Sequence, residues 1–230
     1  MRILLLADVH ANWEALLSLQ RAEPKPDAVL FAGDAVGYGP DPLNCVRWLL
    51  ANTTAAVRGE CDHALMAGSD GLDEAAAATI ALARSQLPAA DRAALAGWPL
   101  TCTVELGGAR FLLAHGTPAR PLDGDLDLLM AADAALAESL GGQSAGFAVF
   151  GRTHVPALRQ CGATVFINPG SLGQPRHGFP DATYGVWEDG YVQIKHLHYD
   201  HDTTARRLHL APLSPEIVDR LSEILEKGLT

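Results

Sequence analysis

The sequence predicts an α/β fold. Three observations carry that reading. Short apolar runs with the pattern of buried strands alternate with segments of helical period in the N-terminal part of the chain. Each of these runs stops abruptly at an aspartate or a glycine. Further along, the dipeptides Gly107-Gly108 and Asp189-Gly190 lie between more short apolar runs and mark β-hairpins.

Taken in order, residues 2–7 form a short apolar run that ends at Asp8. Residues 12–21 place Trp13, Leu16, Leu17 and Leu19 at helical spacing, with Asn12 suited to cap the helix. Residues 28–32 read as a second buried strand, closed by Gly33 and Asp34, residues 42–52 as a second helix and residues 55–58 as a third strand. Two alanine-rich segments, 74–84 and 88–96, are helical by propensity. Beyond Trp98 come strands at 101–106 and 109–114, a helix over 126–140, a strand at 147–150 and four more short strands at 157–160, 164–167, 183–188 and 191–198. Residues 215–227 read as a C-terminal helix. Without an internal repeat or a low-complexity linker, one domain over 1–230 with a helical excursion near 64–98 is the economical expectation.

The 230 residues suffice for a sizeable core, and 48% hydrophobic with 19% charged residues is ordinary for a globular chain. The formal net charge of −10 disfavours non-specific binding to nucleic acid or to an anionic membrane. It leaves room for a phosphate-bearing substrate, because bound metal ions dominate local charge. No segment approaches the roughly 20 apolar residues of a membrane span. Cys45, Cys61, Cys102 and Cys161 form no C-x-x-C pair. The N-terminal apolar run is too short for a signal peptide, and a reducing cytoplasm with free thiols is the expectation.

The chemistry is read from where the acids and histidines fall. Asp8 and His10 follow the first strand, Asp34 the second, Glu60 and Asp62 the third, and His115 and His154 two later ones. In open α/β sheets ligands gather beyond the carboxyl ends of strands, so these side chains can converge. Carboxylates mixed with imidazoles suit Mn, Zn or Fe. The neighbouring Gly33, Gly59, Gly116 and Gly151 permit tight turns and close approach.

The blocks Asp8-Val9-His10, Gly33-Asp34, Gly59-Glu60-Cys61-Asp62, His115-Gly116 and Gly151-Arg152-Thr153-His154 resemble those of the calcineurin-like metallophosphoesterases, in their small prokaryotic phosphodiesterase branch. Asn168-Pro169-Gly170-Ser171 with Pro175-Arg176 is similar to the tail of that branch. The resemblance implies a four-layer α/β/β/α sandwich of two mixed sheets, with one or two divalent metal ions per chain. It implies a first ion on Asp8, His10, Asp34 and His154. A second would sit on Asp34, His115 and the positions of Glu60 and Arg152, where the family usually has Asn and His. Arginine is cationic and offers no lone pair, so it cannot replace a histidine ligand.

Two readings of that second half follow. Glu60 supplies a carboxylate that offsets the lost imidazole and the ion still binds. Alternatively, Arg152 pairs with Glu60 and fills much of the space, a guanidinium being a good partner for carboxylate or phosphate. Asp62 is expected to orient a neighbouring ligand by hydrogen bonding and, with Arg152, to serve the catalytic step. Arg152, Tyr38 and Arg176 are the expected substrate contacts. Cys61, at a position where some relatives have histidine, reads as a buried apolar residue rather than a nucleophile. His196, His198 and His201 with Asp200 and Asp202 read as a solvated face. The activity implied is hydrolysis of a small-molecule phosphodiester or phosphomonoester by metal-activated water. The alternative is a catalytically silent scaffold on the same fold. Members of the family are often homodimers, and nothing in this sequence marks an interface.

Overall fold

The computed structural model describes residues 1–229. Its strands are β1 (Arg2–Leu6), β2 (Ala28–Phe31), β3 (Ala55–Ala56), β4 (Thr101–Leu106), β5 (Ala109–Ala114), β6 (Phe147–Val149), β7 (Ala157–Cys161), β8 (Thr164–Asn168), β9 (Ala182–Glu188) and β10 (Tyr191–Leu197). Its helices are α1 (Trp13–Ala22), α2 (Pro42–Asn52), α3 (Glu60–Ala67), α4 (Glu74–Gln86), α5 (Ala89–Ala96), α6 (Asp133–Ser139), α7 (His201–Leu210) and α8 (Pro215–Lys227).

The strands form two five-stranded mixed sheets, ordered β10-β9-β1-β2-β3 and β4-β5-β6-β8-β7. Strands β1, β2 and β3 run parallel in the first, and β5, β6 and β8 in the second. The sheets pack face to face with helices outside, which is the four-layer sandwich expected from the resemblance.

The continuous apolar character of β1 follows from this burial on both faces. Ile3 and Leu5 point into the inter-sheet core with Phe111, Leu113, Val149, Ile167 and Trp187. Leu4 and Leu6 point the other way, onto Leu16 and Leu19 of α1 and Val46 and Leu49 of α2. Trp187 meets the rings of Phe111 and Phe147 edge-on at 5.5 and 6.0 Å. The hairpins form where the sequence places them: Gly107 and Gly108, and Asp189 and Gly190, all have positive φ, as a two-residue primed turn requires.

Four elements differ from expectation. The third strand pairs over only two residues, although the backbone N–H groups of Val57 and Arg58 still find Phe31 and Pro99 carbonyls. The helix expected over 126–140 is confined to Asp133–Ser139. The Arg159 guanidinium takes the carbonyls of Leu128, Leu129 and Ala131, and Asp127 accepts the N–H groups of Leu129 and Met130, so the preceding loop spends its hydrogen bonds elsewhere. Glu60 and Asp62 lie in the first turn of α3, not in a loop. His201 opens α7, a helix the sequence conceals because only Thr204 and Leu208 are buried along it. Its N-cap Asp200 accepts the Thr203 N–H.

Among the described residues no helix is long and apolar enough to cross a membrane. The four cysteines are unpaired. The parallel strands of both sheets send their carboxyl ends to the same edge, and the loops that follow them meet there.

Candidate metal centre

These loops turn sharply. Asp8, His10, Asp34, Arg152 and His154 all adopt positive φ, between 45° and 69°. Backbone bonds from Asp8 N to Gly33 O and from His10 N to Asp34 O lock the first two loops together. Left-handed backbone at a non-glycine residue costs on the order of 1 kcal/mol or more and persists where its surroundings over-determine it. Here those surroundings place side chains rather than merely reverse the chain. Glycine is required at residue 59, where a Cβ would overlap the Asp34 carboxylate.

The Asp8, His10, Asp34, His115 and His154 side chains are buried and converge. Each histidine is oriented by a backbone carbonyl. The Nδ1–H of His10 donates to Val36 O at 3.0 Å, that of His115 to Ala32 O at 2.8 Å and that of His154 to Gln174 O at 2.7 Å. A carbonyl accepts only an N–H, so all three rings present Nε2 to the centre. There the Nε2 atoms of His10 and His154 stand 3.0 Å apart, and His154 Nε2 is 3.3 Å from Asp8 Oδ1. His115 Nε2 is 3.4 Å from Asp34 Oδ2. Two ring nitrogens facing each other need a proton or a cation between them.

The carboxylates divide their oxygens in the same way. Asp34 Oδ1 accepts the Cys61 N–H and Asp8 Oδ2 the Arg152 N–H. Asp34 Oδ2 and Asp8 Oδ1 are buried without a hydrogen-bond partner. Orphaned carboxylate oxygens facing imidazole nitrogens are a cation's ligand set. The donor groups close enough to share one ion are Asp8–His10–His154, His10–Asp34–Cys61 and Asp8–Asp34–His115.

Electrostatics agree. Burial opposes charge on Asp8, but His154 and His115 beside it hold its pKa well below the carboxylate range. Burial likewise opposes charge on His115, yet Asp34, Glu60 and Asp8 together raise its pKa well above the imidazole range. His154 goes the other way, lowered chiefly by burial.

Asp62 touches none of these rings. One oxygen accepts the backbone N–H groups of Asp34 and Gly59, and the other those of Ala35 and Val36. It therefore sets the loop that carries Asp34. Burial, then the neighbouring Asp34 charge, push its pKa up to about 7 against those donors. Cys61 is buried in the helix-side core, and burial pushes its thiol well above the ordinary value.

Glu60 and Arg152 do meet, at 2.9 Å between Oε1 and a single guanidinium nitrogen. The contact is not a two-pronged fork, because the same nitrogen also donates to Leu122 O. Glu60 Oε2 lies 2.6 Å from His115 Nε2. Both residues line a cavity of about 750 Å³ together with Tyr38, Asn168 and Arg176. Arg176 donates to the Gln174 side chain and lies over the Tyr38 ring. Tyr38 in turn sets its ring edge against His10 and donates its hydroxyl to Asp73. The expected site residues thus fall in one place, with Tyr38, Glu60, Arg152 and Arg176 at the cavity and the others beneath it. His196, His198 and His201 do not join them.

Sequence reading missed Gln174, whose carbonyl orients His154, and Ser171, whose hydroxyl donates to Asp8 O. It also missed Asn168, which donates to Gly151 O and Thr153 Oγ1 and so braces the turn carrying His154. The Asn168-Pro169-Gly170-Ser171 block held the signal for two of them.

A family model for the calcineurin-like phosphoesterase superfamily domain matches residues 1–188. The chain is 25% identical over 221 residues to an uncharacterised protein of Methanocaldococcus jannaschii, covering 86% of this chain and 88% of that one. Among solved structures it is similar to a metallophosphoesterase from Sphaerobacter thermophilus, with a TM-score of 0.82 and 27% identity over 96% of this chain and 98% of the other. A hypothetical protein of Pyrococcus horikoshii matches with a TM-score of 0.81 and 20% identity, covering 99% and 98%.

Proposed function

The chain belongs to the calcineurin-like phosphoesterase superfamily, and on that premise we propose that it is a metal-dependent phosphoester hydrolase acting on a small-molecule phosphodiester or phosphomonoester. The observation that carries this reading is the orphaned pair Asp8 Oδ1 and Asp34 Oδ2, facing imidazoles whose other nitrogens are fixed on backbone carbonyls.

Asp8, His10, Asp34 and His154, with His115 against Asp34, would hold the ion, and carboxylate-plus-imidazole donors suit Mn, Fe or Zn. Bound there, a divalent cation supplies water of lowered pKa and polarises phosphoryl oxygens. The protein does the rest. Asp62 fixes the Asp34 loop through four backbone N–H groups. The cavity above has the size of a small-ligand site. Arg152 and Arg176 at its wall supply cationic donors for phosphoryl oxygens. Leu72, Leu128, Leu129 and Val155 line it with apolar surface that suits an organic leaving group. Glu60 and Arg152, in place of the Asn and His that the resemblance calls for, alter one half of the centre.

The test is hydrolysis of a generic aryl phosphodiester with added Mn, comparing the wild type with Asp34→Asn. Divalent-ion-dependent turnover that falls at least about 100-fold in the variant supports the reading. No turnover with any divalent ion, while Asp8→Ala leaves folding unchanged, favours a scaffold instead.

A further inference from the structure

The two halves of the centre are built differently. On the His10–His154 side the donor atoms face one another with no cationic side chain among them. On the His115 side, Glu60 brings a guanidinium with it.

Three features hold Arg152 in that place. Its side chain forms an ion pair with Glu60 and donates to Leu122 O, and its backbone N–H donates to Asp8 Oδ2. Its own backbone is left-handed, with φ 69°. The tight turn from Gly151 to His154 therefore grips both oxygens of Asp8: His154 faces Oδ1 and Arg152 N–H takes Oδ2. A second divalent ion next to Glu60 would have to share that carboxylate with a fixed positive charge. Glu60 belongs to none of the three donor groups compact enough to share an ion among the described residues. The Arg152 Nε–H, meanwhile, is buried without an acceptor, on a side chain that lines the cavity. A buried donor left unpaired is costly unless a ligand completes it.

The geometry points to a one-ion centre in which Arg152, carried by Glu60, is the built-in second cation and binds a phosphoryl oxygen of the substrate. This rests on the proposed metal-dependent function and deepens it. The charge that an ion would otherwise supply beside His115 is part of the polypeptide. It is therefore present at any metal concentration and cannot be removed by a chelator.

The test counts ions by elemental analysis on the full chain after loading with Mn and gel filtration. The wild type is expected to retain about one ion per chain, and the double variant Glu60→Asn, Arg152→His about two. Binding of inorganic phosphate to the Mn-loaded protein, followed by calorimetry, is expected to weaken about ten-fold or more in Arg152→Gln. It is expected to weaken less in Arg152→Lys, which keeps the charge. Circular dichroism confirms that each variant is folded, and the wild-type ion count stands without any variant. Two tightly held ions in the wild type overturn the inference and leave the metal-dependent reading intact. A double variant that still takes one ion, or phosphate affinity unchanged in Arg152→Gln, overturns it as well. No retained ion in the wild type overturns the underlying reading and this inference with it.

Discussion

The Asp62 carboxylate accepts the backbone N–H of Asp34 at 2.9 Å, so one buried acid holds the main chain of another whose side chain faces the centre. The relation explains why Asp62 can matter without touching a ligand atom. Removing it with Asp62→Ala strands the N–H groups of Asp34, Ala35, Val36 and Gly59 in a buried loop. We expect Mn affinity to fall about 10- to 100-fold and stability to fall by about 2 kcal/mol or more. Asp62→Asn retains one oxygen acceptor and should fall between the two. Titration calorimetry and urea unfolding read the two quantities. Ala and Asn variants that match the wild type in both would remove Asp62 from this role.

Gly59→Ala should be worse than its size suggests. The added methyl group overlaps the Asp34 carboxylate and crowds the Asp34 backbone nitrogen as well. Overpacking of this kind costs about 1–3 kcal/mol, and here it also displaces a carboxylate of the centre. The expected result is a folded protein with at least ten-fold weaker Mn binding. Wild-type affinity in Gly59→Ala would show that Asp34 has room to move.

Asn12 ties three elements together. Its amide donates to Gly173 O and the Tyr199 hydroxyl, while its carbonyl accepts the Ala15 N–H at the start of α1 and the Thr204 hydroxyl of α7. Asn12→Ala should lose about 2–3 kcal/mol of stability, from an N-cap and from buried polar groups left unpaired. Asn12→Asp keeps the acceptor but loses the donor, and should retain part of that stability. Thermal unfolding of both variants decides it.

Acid stability should depend on Glu23. The Arg2 hydrogen bond lowers its pKa below the ordinary 4.5, against burial, with help from Lys195 and Tyr184. The native state therefore takes up this proton less readily than the unfolded chain. Its stabilisation is complete above the unfolded value and is lost as pH falls through the lower, folded value. Glu23→Gln should thus be less stable than the wild type at neutral pH, by about 1–2 kcal/mol. The difference should shrink as pH falls below 4.5. A gap that stays constant down to the acid limit would show that the Gln loses packing rather than charge.

Asp8, Asp34 and His115 were legible in the sequence because each closely follows an apolar strand, where burial makes a polar side chain conspicuous, and His154 because it ends the short turn after another such strand. The α/β alternation was legible for the same reason. What lay beyond reach were groups every residue carries. The carbonyls of Ala32, Val36 and Gln174 orient the three histidines, and a carbonyl leaves no mark in a sequence. The complementary charges of Glu60 and Arg152 pointed to a pair, but the single-pronged contact depends on Leu122 O, which the fold alone brings near. Helix α7 was hidden because its polar faces remain in water, so it lacks the apolar stripe that announces a helix. The loop before α6 looked helical until Arg159 claimed its carbonyls.

The left-handed turns at Asp8, His10, Asp34, Arg152 and His154 bear on how this centre can evolve. Aspartate, asparagine, histidine and glycine tolerate that backbone, whereas valine and isoleucine do not. A lineage can therefore remove the carboxylate at Asp8 or Asp34 by a step to asparagine or glycine and keep the turn. A β-branched replacement must remodel the loop at the same time. Descendants that lose a carboxylate here are thus expected to keep the shape of the pocket and to change its charge first.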